Sequence, residues 1–491
     1  MLNTGTPEAT AKKLYLCVHG HFYQPPRLDP ITGDTLQERG CEPYHDFNEK
    51  ITAECYRPNA QMGNFKKISF DLGPTLASWM EKHDPETYNL IVAANREHFF
   101  RYGYGNAMAQ AYNHTILPLS SSLEKRTQII WGIADFQARF GHRPEGMWLP
   151  ETAADYESLE IMAEQSIEYT VLAPWQAAGH VDTTEPYIVR LGNGRSITVF
   201  FFDEPLNAAV SFNPHTTINA DNFVTHHLQP RLNAAKQASG QEQLILVATD
   251  GELYGHHLPQ RHQFLNYLLN NAAPQHGFEV VSLARYLRLS PPRREVAIRE
   301  NTSWSCLHGV TRWNGSCACV PGDGSWKGSL RRAFNRLAAK IDMIFALETG
   351  LALRDPIAAV QDYVAFRSGS LGRQEFWKRH AAVELSDWQE KRVERLLEMV
   401  YFRHLMFTSC AFFFEDVDRM EPRNSIAYAA NAIRLAGENY RAYLEDQTLG
   451  DLRSARSGKS LLTAEDTYQR VTAEARTALA RMDQERGRLA A

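Results

Sequence analysis

From about residue 13 to residue 289, short apolar runs alternate with longer stretches whose apolar positions recur at helical spacing, the pattern of an α/β protein. The runs predict strands at residues 14–18, in the segment entering Trp148, and at 169–172, 197–202 and 244–248. Ser121 and Glu124 stand at capping-box spacing ahead of Ile129, Ile130, Ile133 and Phe136, one apolar helical face. A second helix is predicted over 153–165. Beyond Trp326 the strand-like runs stop, and stretches rich in Ala, Leu, Arg and Glu predict helices at 329–347, 387–407, 424–446 and 464–486, with a loop over 450–459. The expected organisation is therefore a disordered N-terminus (1–12), an α/β unit (13–300), a segment rich in Gly and Trp that lines the site and links the two units (301–328), and a helical domain (329–491).

At 491 residues, with 44% apolar and 22% charged positions, the chain has ordinary globular composition and the size for a large unit with an appendage. A net charge of -5 over that length sets up no strong field, which excludes nucleic-acid backbones as the main partner. The apolar run 14–18 is too short for a signal segment, so no membrane partner is expected. Seven cysteines, an odd number, point to free thiols in a reducing compartment and hence to a cytoplasmic setting. Oligomeric state has no signal in the sequence.

Candidate chemistry gathers where predicted strands end. His19 and His21 alternate after the first strand and so point the same way, with Gln24 and Pro25 close behind. Glu151 stands at a strand-to-helix junction next to Trp148 and Pro150, where it serves either as a functional carboxylate or as a charge complementing a helix N-terminus. Asp250 and Glu252 close the strand 244–248 and are followed by His256 and His257. Folding alone gives little reason for two acids there, because acids are rarely buried without partners. Two carboxylates on separate strand ends are the minimum equipment for glycoside hydrolysis. The same Asp250, His256 and His257 are also plausible metal ligands, as in a metal-dependent polysaccharide deacetylase. A non-catalytic glucan-binding protein is the third possibility.

Taken together and in order, these clusters closely resemble the motifs of glycoside hydrolase family 57, which includes α-amylases, 4-α-glucanotransferases and branching enzymes. The resemblance spans most of residues 14–330. It rests on His19, His21, Gln24 and Pro25; on His114, Leu117, Pro118 and Leu119; on Trp148-Leu149-Pro150-Glu151; and on Asp250-Gly251-Glu252-Leu253-Tyr254-Gly255. It implies an incomplete (β/α)7 barrel followed by a C-terminal helical domain, with Glu151 as nucleophile and Asp250 as general acid/base. It further implies an α-glucan or maltooligosaccharide substrate bound by His19, His21, Gln24, His114, Trp148, Glu252, His256, Trp304 and His308, and no cofactor. The family's last motif, a Ser-Trp-Gly pattern, reads Ser303-Trp304-Ser305 here, which sets this chain apart from the amylases.

Just downstream, Cys306, His308, Cys317 and Cys319 have the residue types of a structural zinc site. Neither pair forms a Cys-x-x-Cys knuckle, so the reading adopted from sequence is a thiol-rich loop lining the cleft, with no metal. Trp313 and Trp326 are either sugar platforms or core.

Overall fold

The computed structural model describes residues 14–489; the expected disorder of residues 1–12 lies outside them. The strands are β1 Leu14–Phe22, β2 Ser69–Leu72, β3 Ala107–Gln110, β4 Met147–Trp148, β5 Tyr169–Leu172, β6 Tyr187–Arg190, β7 Ser196–Phe201, β8 Gln243–Asp250, β9 Phe278–Val280 and β10 Arg294–Glu295. One sheet runs β4-β3-β2-β1-β8 with all neighbours parallel, and β9 also pairs with β1. The other runs β10-β6-β7-β5 and is parallel except for the β6–β7 pair. A single bridge, Gly146 to Tyr169, joins β4 to β5. Past the end of β7, the Asp203 amide donates to the Leu246 carbonyl of β8 at 3.0 Å. The strands thus follow a ring, but among the described residues no strand ladder joins β7 to β8, and closure into a barrel is not seen.

Alternation along the strands explains both the core and the site. Tyr15 and Cys17 on β1, Trp148 on β4, Tyr169 and Val171 on β5, Phe200 on β7, and Leu244, Leu246 and Ala248 on β8 form one buried cluster inside the ring. Leu16, Val18 and Phe22, with Ile245 and Val247, belong to a second cluster shared with the surrounding helices. Continuing the inward column by twos brings β1 to His19 and His21 and β8 to Asp250. The polar groups therefore cap a packed interior at the C-terminal strand ends. Both strands run further than their apolar stretches predicted, because pairing with β2 on one side and β8 on the other extends β1 through its histidines.

Ser121 caps the helix Ser122–Phe140 with the capping box in place, and Ile129, Ile133 and Phe136 are buried. The helix predicted from residue 153 begins only at Tyr156, where the Asp155 side chain accepts from the Ser158 amide. Residues 151 and 152 take left-handed backbone angles instead of helical ones. C-terminal to the sheets lie the helices Ser325–Thr349, Pro356–Arg367, Arg373–His380, Asp387–Leu405, Met420–Ala436, Glu438–Leu452 and Ala464–Leu489. The single helix expected over 424–446 is two, divided at Gly437. The expected loop over 450–459 begins later, since the second of these helices runs to Leu452. Trp313 and Trp326 are core residues of this helical cluster, which also takes in Tyr112 and Trp131 from the α/β part. Among the described residues no helix is long and apolar enough to cross a membrane.

One close approach fixes how a helix lies on the sheet. A Cβ at Gly132 would sit 2.0 Å from the Gln110 carbonyl oxygen of β3, and backbone cannot swing aside as a flexible side chain does. Gly132→Ala should therefore destabilise the fold by about 1–3 kcal/mol, seen as a lowered thermal midpoint of the full chain. An unchanged midpoint would contradict this packing.

Candidate active site

The parallel register sets three polar groups level: His21 lies opposite Asp71 on β2 and opposite Asp250 on β8. Asp71, completely buried, is shared by two histidines. His19 Nε2 donates to its Oδ1 at 3.1 Å, and His21 Nδ1 donates to its Oδ2 at 2.8 Å. His19 Nδ1 meets the Ser69 hydroxyl at 3.2 Å, and His21 Nε2 meets His114 Nε2 at 3.2 Å. His114 Nδ1 in turn lies 2.6 Å from the Ser409 hydroxyl, which comes from the helical region. With His21 charged, the network is consistent if His19 and His114 are neutral.

The electrostatics agree with that assignment. Burial depresses His19, and burial together with the charge on His21 depresses His114 well below the usual imidazole range. At His21 burial also works against the cation, but Asp71, with Asp250 and Glu252 beyond it, overcomes this and raises the ring to about 9. Burial pushes Asp71 up, yet the two histidines hold it below the ordinary carboxylate range. Trp148, fully buried, stacks beneath both rings, with centroids 4.7 Å from His19 and 5.1 Å from His21.

Glu151 projects from the turn after β4, in left-handed backbone (φ 58°, ψ 22°), and Thr152 and His114 share that uncommon region at φ 46° and 52°. Three strained non-glycine residues around one cluster mark a place where geometry has been held against local preference. What holds the Glu151 turn is the segment 302–305. The Ala154 amide donates to Thr302 O at 2.9 Å, and the Trp304 amide to Glu151 O at 3.1 Å. Gln176 Nε2 donates to Thr152 O at 2.8 Å. The carboxylate itself accepts from Ser305 Oγ at 2.7 Å and from Trp304 Nε1 at 3.1 Å, both on Oε2. Desolvation raises the Glu151 pKa and nearby Asp250 adds to the rise, while the two donors oppose it.

Asp250, the last residue of β8, is exposed to solvent. Desolvation raises its pKa, and the positive potential of His21 and His257 opposes the rise. Glu252 is buried, accepts from Gln24 Nε2 at 3.2 Å and is bonded to the Tyr56 hydroxyl. Burial first, and then Asp250, lift its pKa to about 7.

Of the residues singled out in the sequence, Glu151, Asp250, Glu252, Gln24, His19, His21, His114, Trp148 and Trp304 are connected in this one cluster. Their settings differ. His19, His114 and Trp148 are almost wholly buried; the two imidazoles have hydrogen-bond partners inside the protein, and Trp148 stacks on His19 and His21 while its indole nitrogen has no partner. His256 is tied through Nδ1 to Glu54 Oε2 at 2.5 Å, and it is its neighbour His257 whose charge acts on Asp250. His308 turns its Nδ1 to the thiols of Cys317 and Cys319, at 3.3 and 3.4 Å. Sequence reading missed Asp71, Ser305 and Trp175. Trp175 is half-buried, donates to Ser303 O at 3.0 Å and packs edge-on against Phe202, which does the same against Trp304. Of these, Ser305 had a signal, since it occupies the motif position next to Trp304.

Comparison with known proteins fits this construction. Residues 12–299 match the family model for glycosyl hydrolase family 57, and the chain belongs to that family. Residues 323–485 match a domain of unknown function, DUF3536. A search of curated proteins finds no match. Among solved structures, an exo-type maltose-forming amylase from Pyrococcus sp. ST04 is 17% identical and superposes with a TM-score of 0.71, covering 93% of this chain and 88% of that one. A family 57 branching enzyme from Thermococcus kodakaraensis is 16% identical, with a TM-score of 0.58 over 93% and 94% of the two chains. An α-amylase from Thermotoga maritima is 14% identical, with a TM-score of 0.55 over 92% and 99%. At these identities the likeness shows a shared fold.

The charge assignment is measurable. The folded value of His21 lies above the ordinary 6.5, so its charge favours the folded state fully below pH 6.5, and that contribution is lost as pH rises through about 9. Imidazole NMR of the full chain should show one histidine titrating near 9. In Asp71→Asn the same resonance should titrate below about pH 7, its main counter-charge gone. A value unmoved by that substitution would contradict the pairing.

Proposed function

We propose that this chain is a retaining glycoside hydrolase or transglycosylase acting on α-1,4-glucans such as glycogen, starch or maltooligosaccharides. The observation that carries the proposal is the contrast between two neighbouring carboxylates. Glu151 is gripped by two donors on one oxygen, which oppose the rise that burial gives its pKa and fix its aim. Asp250 opens to solvent, and no side-chain hydrogen bond to it contributes to its raised pKa. A fixed anion suits a nucleophile, and a carboxyl inclined to keep its proton suits a general acid.

In this mechanism Glu151 attacks the anomeric carbon while Asp250 protonates the departing glycosidic oxygen, giving a glycosyl-enzyme ester. Asp250, now ionised, takes a proton from water or from a sugar hydroxyl as that oxygen attacks the same carbon and releases Glu151. Hydrolysis or transfer follows according to which acceptor arrives first. Asp71 and Glu151 as anions against the His21 cation leave the cluster net negative, which favours the oxocarbenium-like transition state. Trp304 offers its half-buried ring as a platform for a sugar face. Family membership supports the reaction class, and the activities named for the amylase and branching-enzyme structures support the substrate. Free cysteines support a cytoplasmic setting. The deacetylase reading is disfavoured because, among the described residues, Asp250, His256 and His257 do not bring their ligand atoms together as a metal-binding group.

Glu151→Gln should lower turnover of maltoheptaose or amylose at least about a thousandfold, and Asp250→Asn about a hundredfold to ten-thousandfold, each with the circular dichroism of the native chain. Product analysis by chain length and branch content reads the loss. Full activity in either variant defeats the proposal. Burial and then the Asp250 charge lift Glu252 to about 7, so in Asp250→Asn the Glu252 carboxyl should titrate at lower pH, read by carboxyl NMR of the full chain. An unmoved Glu252 titration would mean that the two carboxyls do not interact.

A further inference from the structure

The segment that grips Glu151 continues at once into a cluster the proposed reaction does not use. Cys306 follows Ser305, and its sulfur lies 3.5 Å from that of Cys317. His308 Nδ1 is 3.3 Å from Cys317 Sγ and 3.4 Å from Cys319 Sγ. One ligand atom from each of these four residues lies within 4.8 Å of all the others, the one grouping of three or more potential metal ligands found among the described residues. The sulfurs are in van der Waals contact and not bonded, and all seven cysteines are free.

These separations fit the edges of a metal tetrahedron. Zinc with sulfur at about 2.3 Å and nitrogen at about 2.0–2.1 Å sets S···S at roughly 3.8 Å and S···N at roughly 3.6 Å. The ligands come as Cys-x-His and Cys-x-Cys, pairs tighter than the Cys-x-x-Cys spacing whose absence argued for a plain thiol loop. A tight turn makes the first pair possible. The Gly309 amide donates to Cys306 O at 3.1 Å, with Gly309 at φ 77°, where a Cβ would meet Asn301 O at 2.4 Å. Backbone amides of His308 and Arg312 are directed at the Cys306 sulfur, and that of Leu307 at Cys319. Such donors stabilise thiolates that have given up their protons to a metal.

Charge balance points the same way. Three thiolates and a neutral imidazole around a divalent ion leave one net negative charge. Lys327, almost wholly buried, holds its ammonium within electrostatic reach of Cys306 and Cys317 and otherwise donates to two carbonyls, Arg312 O at 3.0 Å and Phe413 O at 3.3 Å. Arg312 binds the Cys319 carbonyl at 2.8 Å.

We propose that Cys306, His308, Cys317 and Cys319 form a structural zinc site that pins the loop delivering Trp304 and Ser305 to Glu151. Among the described residues the set is four ligands from sulfur and imidazole with no carboxylate, a closed set that makes the ion structural and leaves it no part in the reaction. This site is independent of the substrate reading, because its test is the metal itself.

The full-length chain, purified without chelator and reduced, should contain about one zinc per chain by elemental analysis, and chelation should lower its thermal midpoint. Cobalt(II) supplied to the metal-free chain should give the thiolate-to-cobalt charge-transfer band and the strong visible bands of a tetrahedral sulfur-rich site. Cys317→Ser and Cys319→Ser should each lose the zinc, while Cys41→Ser keeps it. A metal-free chain that takes up neither ion would overturn the site, as would a Cys306–Cys317 disulfide in the native protein or zinc retained in both variants. If the serine variants fail to fold, the cobalt spectrum of the unmutated chain still decides. Should glucan activity prove absent while zinc is bound, the substrate reading falls and the metal site stands.

Discussion

Everything at the site depends on the register of β1 between β2 and β8. With side chains alternating across the sheet, a shift of one residue on β1 would turn His19 and His21 out towards the helices and bring apolar residues into the mouth. In the observed register the inward columns of β1 and β8 are apolar until their ends and then polar, so the packed interior becomes the floor of the site. Asp71 locks that arrangement from β2 by accepting from both histidines at once. Removing either ring would leave a buried carboxylate short of a partner, a costlier loss than one ordinary hydrogen bond.

Two further parts of the chain are recruited to the same place. The helical region sends Ser409 to His114, and Thr408 to the Tyr23 hydroxyl at 3.0 Å, and Tyr23 stacks on His114 with centroids 3.8 Å apart. The segment 302–305 crosses from the end of the α/β part to bind the Glu151 turn. A fold with its strand ends open to solvent thereby gains a second wall, and the left-handed residues Glu151 and His114 are held where isolated peptides would seldom leave them. The proposed zinc site would hold the far end of that segment, which otherwise has only a short helical turn, Thr311–Trp313, before the helix beginning at Ser325.

Much of this was legible in the sequence where the signal was local. The strand at 169–172 matches β5 residue for residue, and the Ser121 capping box marks its helix correctly, because apolar run length and cap chemistry are set by adjacent residues. Glu151, Asp250 and His21 stand out through residue type at strand ends, and Trp304 through the resemblance to the family's last motif. Long-range pairing was not legible. Asp71 sits in a four-residue strand, too short to show periodicity, and its importance arises from two histidines about fifty positions away. The helix break at Gly437 was overridden by helix-favouring neighbours, and β1 and β8 were drawn short because their polar ends resemble loop. The resemblance implies a substrate-binding role for His308, whose ring partners are thiols nine and eleven residues further on.

In the proposed mechanism Glu151 forms the covalent bond to sugar. A 5-fluoro-maltosyl fluoride, which forms the glycosyl ester faster than it releases it, should label the native enzyme once per chain. Peptide mass spectrometry should place the added mass on the peptide containing Glu151. A label on Asp250 or Glu252, or a first-formed product of inverted anomeric configuration with no label at all, would contradict it.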